Sequence, residues 1–201
     1  MSSSLSNPKV LGGIGAILVL FTAVPTVGWL LGIAGFIMIL LAIKNISEVV
    51  GDKKIYSNML TAIALSVGAI AVGTVAVVGA VYQVLGMGSF VGTKFVLTSG
   101  LTLSDWFGLA VTVAGGLLAV WALLVVSAVF VRRSLRLMAS KLNVKKFETA
   151  GLLYLIGAAT AIIGVGLLVI FVAEIFLAVS FFSISDQQWS SAVNTPQALS
   201  G

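Results

Sequence analysis

Apolar positions fall into five long runs separated by shorter polar stretches. Val10–Val24 and Val27–Ile43 are apolar almost throughout. They are joined by Val24-Pro25-Thr26-Val27-Gly28, a turn-type composition centred on proline. Met59–Val84, Trp106–Val131 and Thr149–Phe182 follow, and a polar tail runs from Ser183 to Gly201. A helix of about 20 apolar residues crosses a hydrocarbon core. The pattern therefore predicts an all-α fold, a polytopic membrane helical bundle of five transmembrane helices over residues 10–24, 27–43, 59–84, 106–131 and 150–176. Residues 1–201 then form a single integral membrane domain.

The first two arms are about 15–17 residues each, or roughly 22–26 Å of helix, against a core of about 30 Å. Either they span as a short hairpin, the favoured reading, or they dip in and return. Both place Lys9 and Lys44 on one side. The apolar run resumes after Pro25-Thr26, so a cleaved signal peptide is not expected. Ile46, Val49 and Val50 continue a helical stripe until Gly51-Asp52 breaks it. Residues 85–103 are rich in Gly, Ser and Thr yet carry Phe90, Val91, Phe95, Val96 and Leu97, which suits a short strand hairpin around Gly92-Thr93. Ser104-Asp105 reads as a helix start. The stripe Val131, Leu135, Met138, Leu142 extends that helix into the basic stretch, with Asn143 as its stop. Thr149–Phe182 is about 34 residues, longer than one crossing needs.

Composition changes the picture in one respect: it names the solvent. The chain is 60% hydrophobic and 8% charged, where a soluble domain carries roughly a quarter charged residues, and its mean hydropathy is +1.20. The partner so implied is the lipid bilayer. The net charge of +5 belongs to basic loops against an anionic leaflet, not to nucleic-acid binding. Arg132, Arg133, Arg136, Lys141, Lys145 and Lys146 form an inner basic face, because they do not cross hydrocarbon cheaply. With five crossings, ten of the eleven basic residues share that side and Lys94 alone opposes them. The expected location is the cell (plasma) membrane, multi-pass, with the N-terminus inside and the C-terminus outside. Tyr56 and Tyr154 then mark inner boundaries, and Trp29, Tyr82 and Trp106 outer ones. Trp121 falls inside its span, where its indole N–H wants a partner.

Candidate chemistry is sparse. The chain has no Cys and no His, which removes disulfides, thiolate and His-based catalysis and the usual zinc, haem and iron–sulfur sites. No phosphate loop or metal spacing is present, so neither a cofactor nor enzyme activity is expected. Small residues recur at four-residue spacing and suit helix packing, within the bundle or at an oligomer interface: Gly28 with Gly32, Ala64 with Gly68, Ala69 with Gly73, Gly115 with Ala119, Gly157 with Ala161, and Gly12 with Ala16. Thr61, Ser66, Thr74, Thr112, Ser127 and Thr160 supply hydroxyls. Glu174 is the one carboxylate inside an apolar run. If a single helix starts near Gly151, Glu174 lies about 34 Å along it, at the outer edge of the core. A later start or a strong tilt sinks it into the membrane, where an acid marks a functional site by default.

The opening LGGIGAIL, the apolar arm after VPTVG and the loop ISEVVGDKKIYSN together resemble an archaeal multi-pass membrane-protein family of unknown function, domain of unknown function 996. The resemblance covers chiefly Leu11 to about Val84. It implies the multi-pass topology and an archaeal origin, and brings no catalytic residues. The expected function is a non-catalytic accessory or structural subunit of a membrane complex, with other membrane subunits or further copies as partners. The alternative is a small channel or transporter using Glu174 and the Ser/Thr faces.

Overall fold

The computed structural model describes residues 8–86, 88–91, 94–97, 102–185 and 189. Six helices dominate: α1 (Pro8–Leu20), α2 (Gly28–Val50), α3 (Lys53–Gly86), α4 (Leu103–Leu142), α5 (Lys146–Thr160) and α6 (Val165–Phe182). Two short strands, β1 (Gly88–Val91) and β2 (Lys94–Leu97), pair antiparallel with Val91 opposite Lys94. That register agrees with the expected strand hairpin; Gly92 and Thr93 lie outside the described residues. Among the described residues, five helical segments are long and apolar enough to cross a membrane: Gly28–Val50, Lys53–Gly86, Leu103–Leu142, Lys146–Ile163 and Val165–Phe182. The apolar α1 is shorter, at 13 residues.

The number five thus recurs with different members. The run Thr149–Phe182, read from sequence as one span over 150–176, is two helices. α5 ends in a turn of 3-10 helix, Ala161–Ile163, and the chain reverses at Gly164, whose φ of 81° favours glycine. The reversal is held by a backbone-on-backbone approach. A Cβ at Gly157 would stand 3.0 Å from the Gly166 carbonyl and 2.6 Å from Ile170 Cγ1, and one at Gly166 would collide with the Gly157 carbonyl. Farther along, Phe147 meets Phe181 edge to face at 5.1 Å, and Lys146 Nζ donates to Ser183 Oγ at 2.9 Å. α6 therefore ends beside the start of α5.

α1 and α2 meet in the same way. A Cβ at Gly15 would stand 2.7 Å from the Gly35 carbonyl, and one at Gly32 2.6 Å from Thr22 Oγ1. Between them, Thr26 takes a left-handed φ of 72°. α1 also rests on α6, with Gly12 under the Phe181 ring and Gly13 under Phe182.

The ends of the helices follow local chemistry. Gly51, at φ 71°, closes α2: its N–H donates to the Glu48 carbonyl, and the Asp52 N–H donates back to Ser47. This is the glycine-terminated stop the sequence pattern implies. Asp52 then caps α3 by accepting from the Lys54 N–H at 3.0 Å, so two residues separate the helices. Asn143, at φ 54°, closes α4 with Val144 N–H donating to the Ala139 carbonyl, as its place in the sequence predicts. The start of α4 falls earlier than Ser104. Thr102 is the cap, and Asp105 reaches back to accept from both the Thr102 N–H (2.8 Å) and its hydroxyl (2.7 Å).

The chain falls into two compact units, Met1–Ile63 with Val125–Gly201, and Ala64–Leu124. The first holds the core, built from Ile43, Ile46, Ile55, Leu135, Met138, Leu142, Phe147 and Phe181, all at most 1% exposed. All but Phe181 lie in or near the basic stretch or the α2–α3 turn, and Phe181 packs on Phe147. Ser134, fully buried, ties α4 to α3 by donating to the Ile55 carbonyl at 2.7 Å, and Ser127 donates to Ala62 at 2.9 Å.

Candidate functional site

Reversal at Gly164 changes the depth of Glu174. The residue lies nine positions before Ser183 and ten after Gly164, about 13 and 15 Å along the helix axis. It is central in α6, away from the outer edge where a single long helix would place it. Ala173, Leu177, Ala178 and Phe181 form the buried face of α6, and Glu174 borders that face, half-buried. On α5 the partner is Tyr154, whose side chain hydrogen-bonds the Glu174 carboxylate. Glu174 Oε2 is buried with no hydrogen-bond partner among the described residues.

Tyr154, expected as a boundary aromatic, lies eight residues past Lys146, about 12 Å along α5. The available signal was the excess length of Thr149–Phe182. Two helices in that run bring the Tyr and the Glu to matching heights.

Most of the expected hydroxyls bond to their own helices. Thr61, Thr74, Thr112 and Thr160 donate to carbonyls one turn back on their own helices, at 2.8–3.0 Å. Ser127 bonds across to α3. What the acid and phenol can do together is hold a proton or a small cation; a single carboxylate does not support paired-acid hydrolysis.

The basic residues collect at the other notable surface of the same unit. Arg132, Arg133, Arg136 and Lys141 occupy the last turns of α4, Lys145 the turn, and Lys146 the start of α5. Arg133 stacks over the Phe130 ring at 5.3 Å. Arg136 Nε lies 3.7 Å from Glu148, an exposed pair that contributes little stability.

The expected packing glycines divide. Gly28, Gly32 and Gly157 each face atoms that a Cβ would meet under 3 Å, and Gly73 stands 3.3 Å from Val120, whereas Gly68 and Gly115 face open space. Two backbone-on-backbone approaches between helices, Gly15 with Gly35 and Gly157 with Gly166, involve Gly15, Gly35 and Gly166, which belong to none of the four-residue pairs.

Within Ala64–Leu124, α3 and α4 touch where Gly116 meets the Ala76 methyl. Beside that contact runs an apolar cavity of about 600 Å³ bordered by Gly73, Ala80, Val84, Leu117 and Val120. Gln83, which the sequence pattern did not single out, donates from Nε2 to Thr112 Oγ1 at 2.9 Å, and its Oε1 is buried without a partner among the described residues.

No solved structure matches this chain. An uncharacterized protein of Methanocaldococcus jannaschii, MJ1644, is 34% identical over 183 residues, which cover 90% of this chain and 94% of that protein. Residues 31–175 match a family of proteins of unknown function. On both grounds the chain belongs to that family, DUF996.

Proposed function

We propose that this is a multi-pass integral protein of the cell membrane, acting as a non-catalytic structural subunit that packs against other membrane helices. The observation that carries the reading is the Ala64–Leu124 unit. It consists of two helix segments and a strand pair, with broad apolar faces bare: Ile70 is 70% exposed, Val75 72% and Phe107 70%. Two helices bury little of each other, and Gly68 and Gly115, which face open space, leave backbone within reach of a neighbour. Lipid or partner helices complete such a surface.

In this reading α1 with α2, and α5 with α6, are helical hairpins entering from the basic side, and α3 and α4 each cross the bilayer. Lys9, the turn at Lys53 and Lys54, the basic stretch and the end of α6 then share the inner side. The proposed topology keeps the N-terminus inside and brings the chain out of α6 inside as well, replacing the C-outside expectation. Support comes from Lys146 beside Ser183 and from Gly12 and Gly13 under Phe181 and Phe182.

The chain lacks cysteine, so single cysteines at Ser140 and Ser185 test the topology against a membrane-impermeant maleimide. Labelling of both from the same side is expected; labelling from opposite sides defeats the arrangement. Native mass spectrometry from gentle detergent tests the subunit role, and a lone monomer in every detergent counts against it. The second reading, a small transporter, is favoured by one observation, the buried oxygen of Glu174 in mid-helix that has no partner among the described residues.

A further inference from the structure

From the geometry of α5 and α6 we infer that Tyr154 and Glu174 form a proton-binding site within the membrane. The inference rests on the proposal that these two helices lie in the bilayer. Glu174 sits half-way along α6, with one side of its carboxyl hydrogen-bonded to the Tyr154 hydroxyl and Oε2 buried without a partner among the described residues. A bare carboxylate at that depth is costly unless something neutralises it.

Three sources of neutralisation are open: a basic side chain, a metal cation or a proton. The elements packed against α6 are α1, α5 and the turn between α5 and α6. On α1 the one charged residue is Lys9, a turn before Gly12 and Gly13, which meet Phe181 and Phe182; it stands level with the end of α6, not its middle. On α5 the charged residues are Lys146 and Glu148 in the first turn, near Ser183, and Tyr154 is the titratable group at the height of Glu174. The turn Ala161–Ile163 is apolar. No basic residue on these elements reaches the acid.

A metal cation fits poorly. Hard cations take about six or more oxygens. Apart from the phenol, the hydroxyls of α5 and the middle of α6 are Thr149, Thr160 and Ser180, five or six residues along their helices from Tyr154 or Glu174, and Thr160 and Ser180 donate to their own helices, at Ile156 and Phe176. A proton needs one oxygen and no shell. With the carboxyl protonated, the phenol can donate to its carbonyl oxygen, and the acid has no net charge to desolvate.

A lipophilic carbodiimide reports such a group. The acid proton moves to one carbodiimide nitrogen while the carboxyl oxygen adds to the central carbon. Migration of the acyl group to nitrogen then fixes the adduct, and nothing leaves, so the peptide gains the mass of the whole reagent. The experiment treats native membranes containing the full chain with dicyclohexylcarbodiimide or a water-soluble carbodiimide, with and without added sodium or potassium. Peptide mass spectrometry follows, with E174Q alongside.

The proton site predicts an adduct at Glu174 from the lipophilic reagent, no adduct from the soluble one, no protection by either ion, and loss of labelling in E174Q. Protection by sodium or potassium overturns the proton in favour of a metal cation. Equal labelling by the soluble reagent means a hydrated carboxyl and removes the membrane placement of α6 as well. No labelling by either overturns the site while leaving that placement standing. An independent reading is the carboxylic C=O stretch in infrared spectra. It should vanish in E174Q and move to higher frequency in Y154F, which removes the hydrogen bond; an unmoved band in Y154F removes Tyr154 from the site.

Discussion

Phe181→Ala is the substitution that most directly tests the packing of the basic end. Phe181 is completely buried, its ring set at 87° to Phe147 with centroids 5.1 Å apart, and Gly12 of α1 lies against its other side. One side chain therefore joins α6 to α5 and to α1. Truncation of a buried Phe in a water-soluble core costs about 3–5 kcal/mol, and an edge-to-face aromatic pair contributes about 0.5–1.5 kcal/mol of that beyond its area. In lipid the transfer component is largely absent, because the unfolded side chain meets hydrocarbon too, and lost van der Waals contact remains. Phe181 is two residues from Ser183 and the Lys146 ammonium, at the polar boundary, so part of the transfer component survives. We expect a loss of about 2–4 kcal/mol, between the two limits. The assay is reversible unfolding in mixed micelles by denaturing detergent, with Phe147→Leu and the double mutant completing a cycle. Coupling between the two rings should be about 0.5–1.5 kcal/mol. As a control, Val75→Ala, at a residue 72% exposed, should stay within about 0.5 kcal/mol. A Phe181→Ala loss no larger than the control would refute the placement of the core at this end.

Three other substitutions probe the backbone. Nothing lies within 4 Å of a Cβ at Gly164, so Gly164→Ala should cost only its conformational strain, about 1–3 kcal/mol in the same unfolding assay; a neutral result would contradict the reversal at that residue. Thr26→Gly should stabilise by about 0.5–1 kcal/mol, because relief of a left-handed threonine exceeds the extra chain entropy of glycine; a lower unfolding midpoint would argue against the turn. Ser134→Ala removes the bond to the Ile55 carbonyl and leaves that acceptor to its own helix, so a loss of about 1 kcal/mol is expected by the same measurement.

Much of the fold was legible because polar residues punctuate it. Gly51-Asp52 and Asn143 end helices where their chemistry says they should, and Thr102 shifts the start of α4 by displacing Ser104 as the capping hydroxyl. The fifth run was not legible, because its break is made by glycine geometry inside unbroken apolar sequence, with no charge or cap to mark it. Length was the one clue. That single miss carried through to the site: counted as one crossing, the run puts Glu174 at the outer edge and Tyr154 at the inner boundary, whereas the folded-back pair brings them together. Small-residue spacing likewise signalled that helices come close but not which helices, since Gly68 and Gly115 face open space while Gly15 and Gly35, distant in sequence, touch.

Those touching glycines bear on how the sequence diverges over time. MJ1644 differs from this chain at about two positions in three, as its 34% identity implies, so most sites have been free to change. Where one main chain rests on another, even a methyl group has nowhere to go. Residues 15, 35, 157 and 166 should therefore be among the slowest-changing in the family, ahead of any charged residue, and a relative that replaces one of them should carry a wider separation of the two helices it joins.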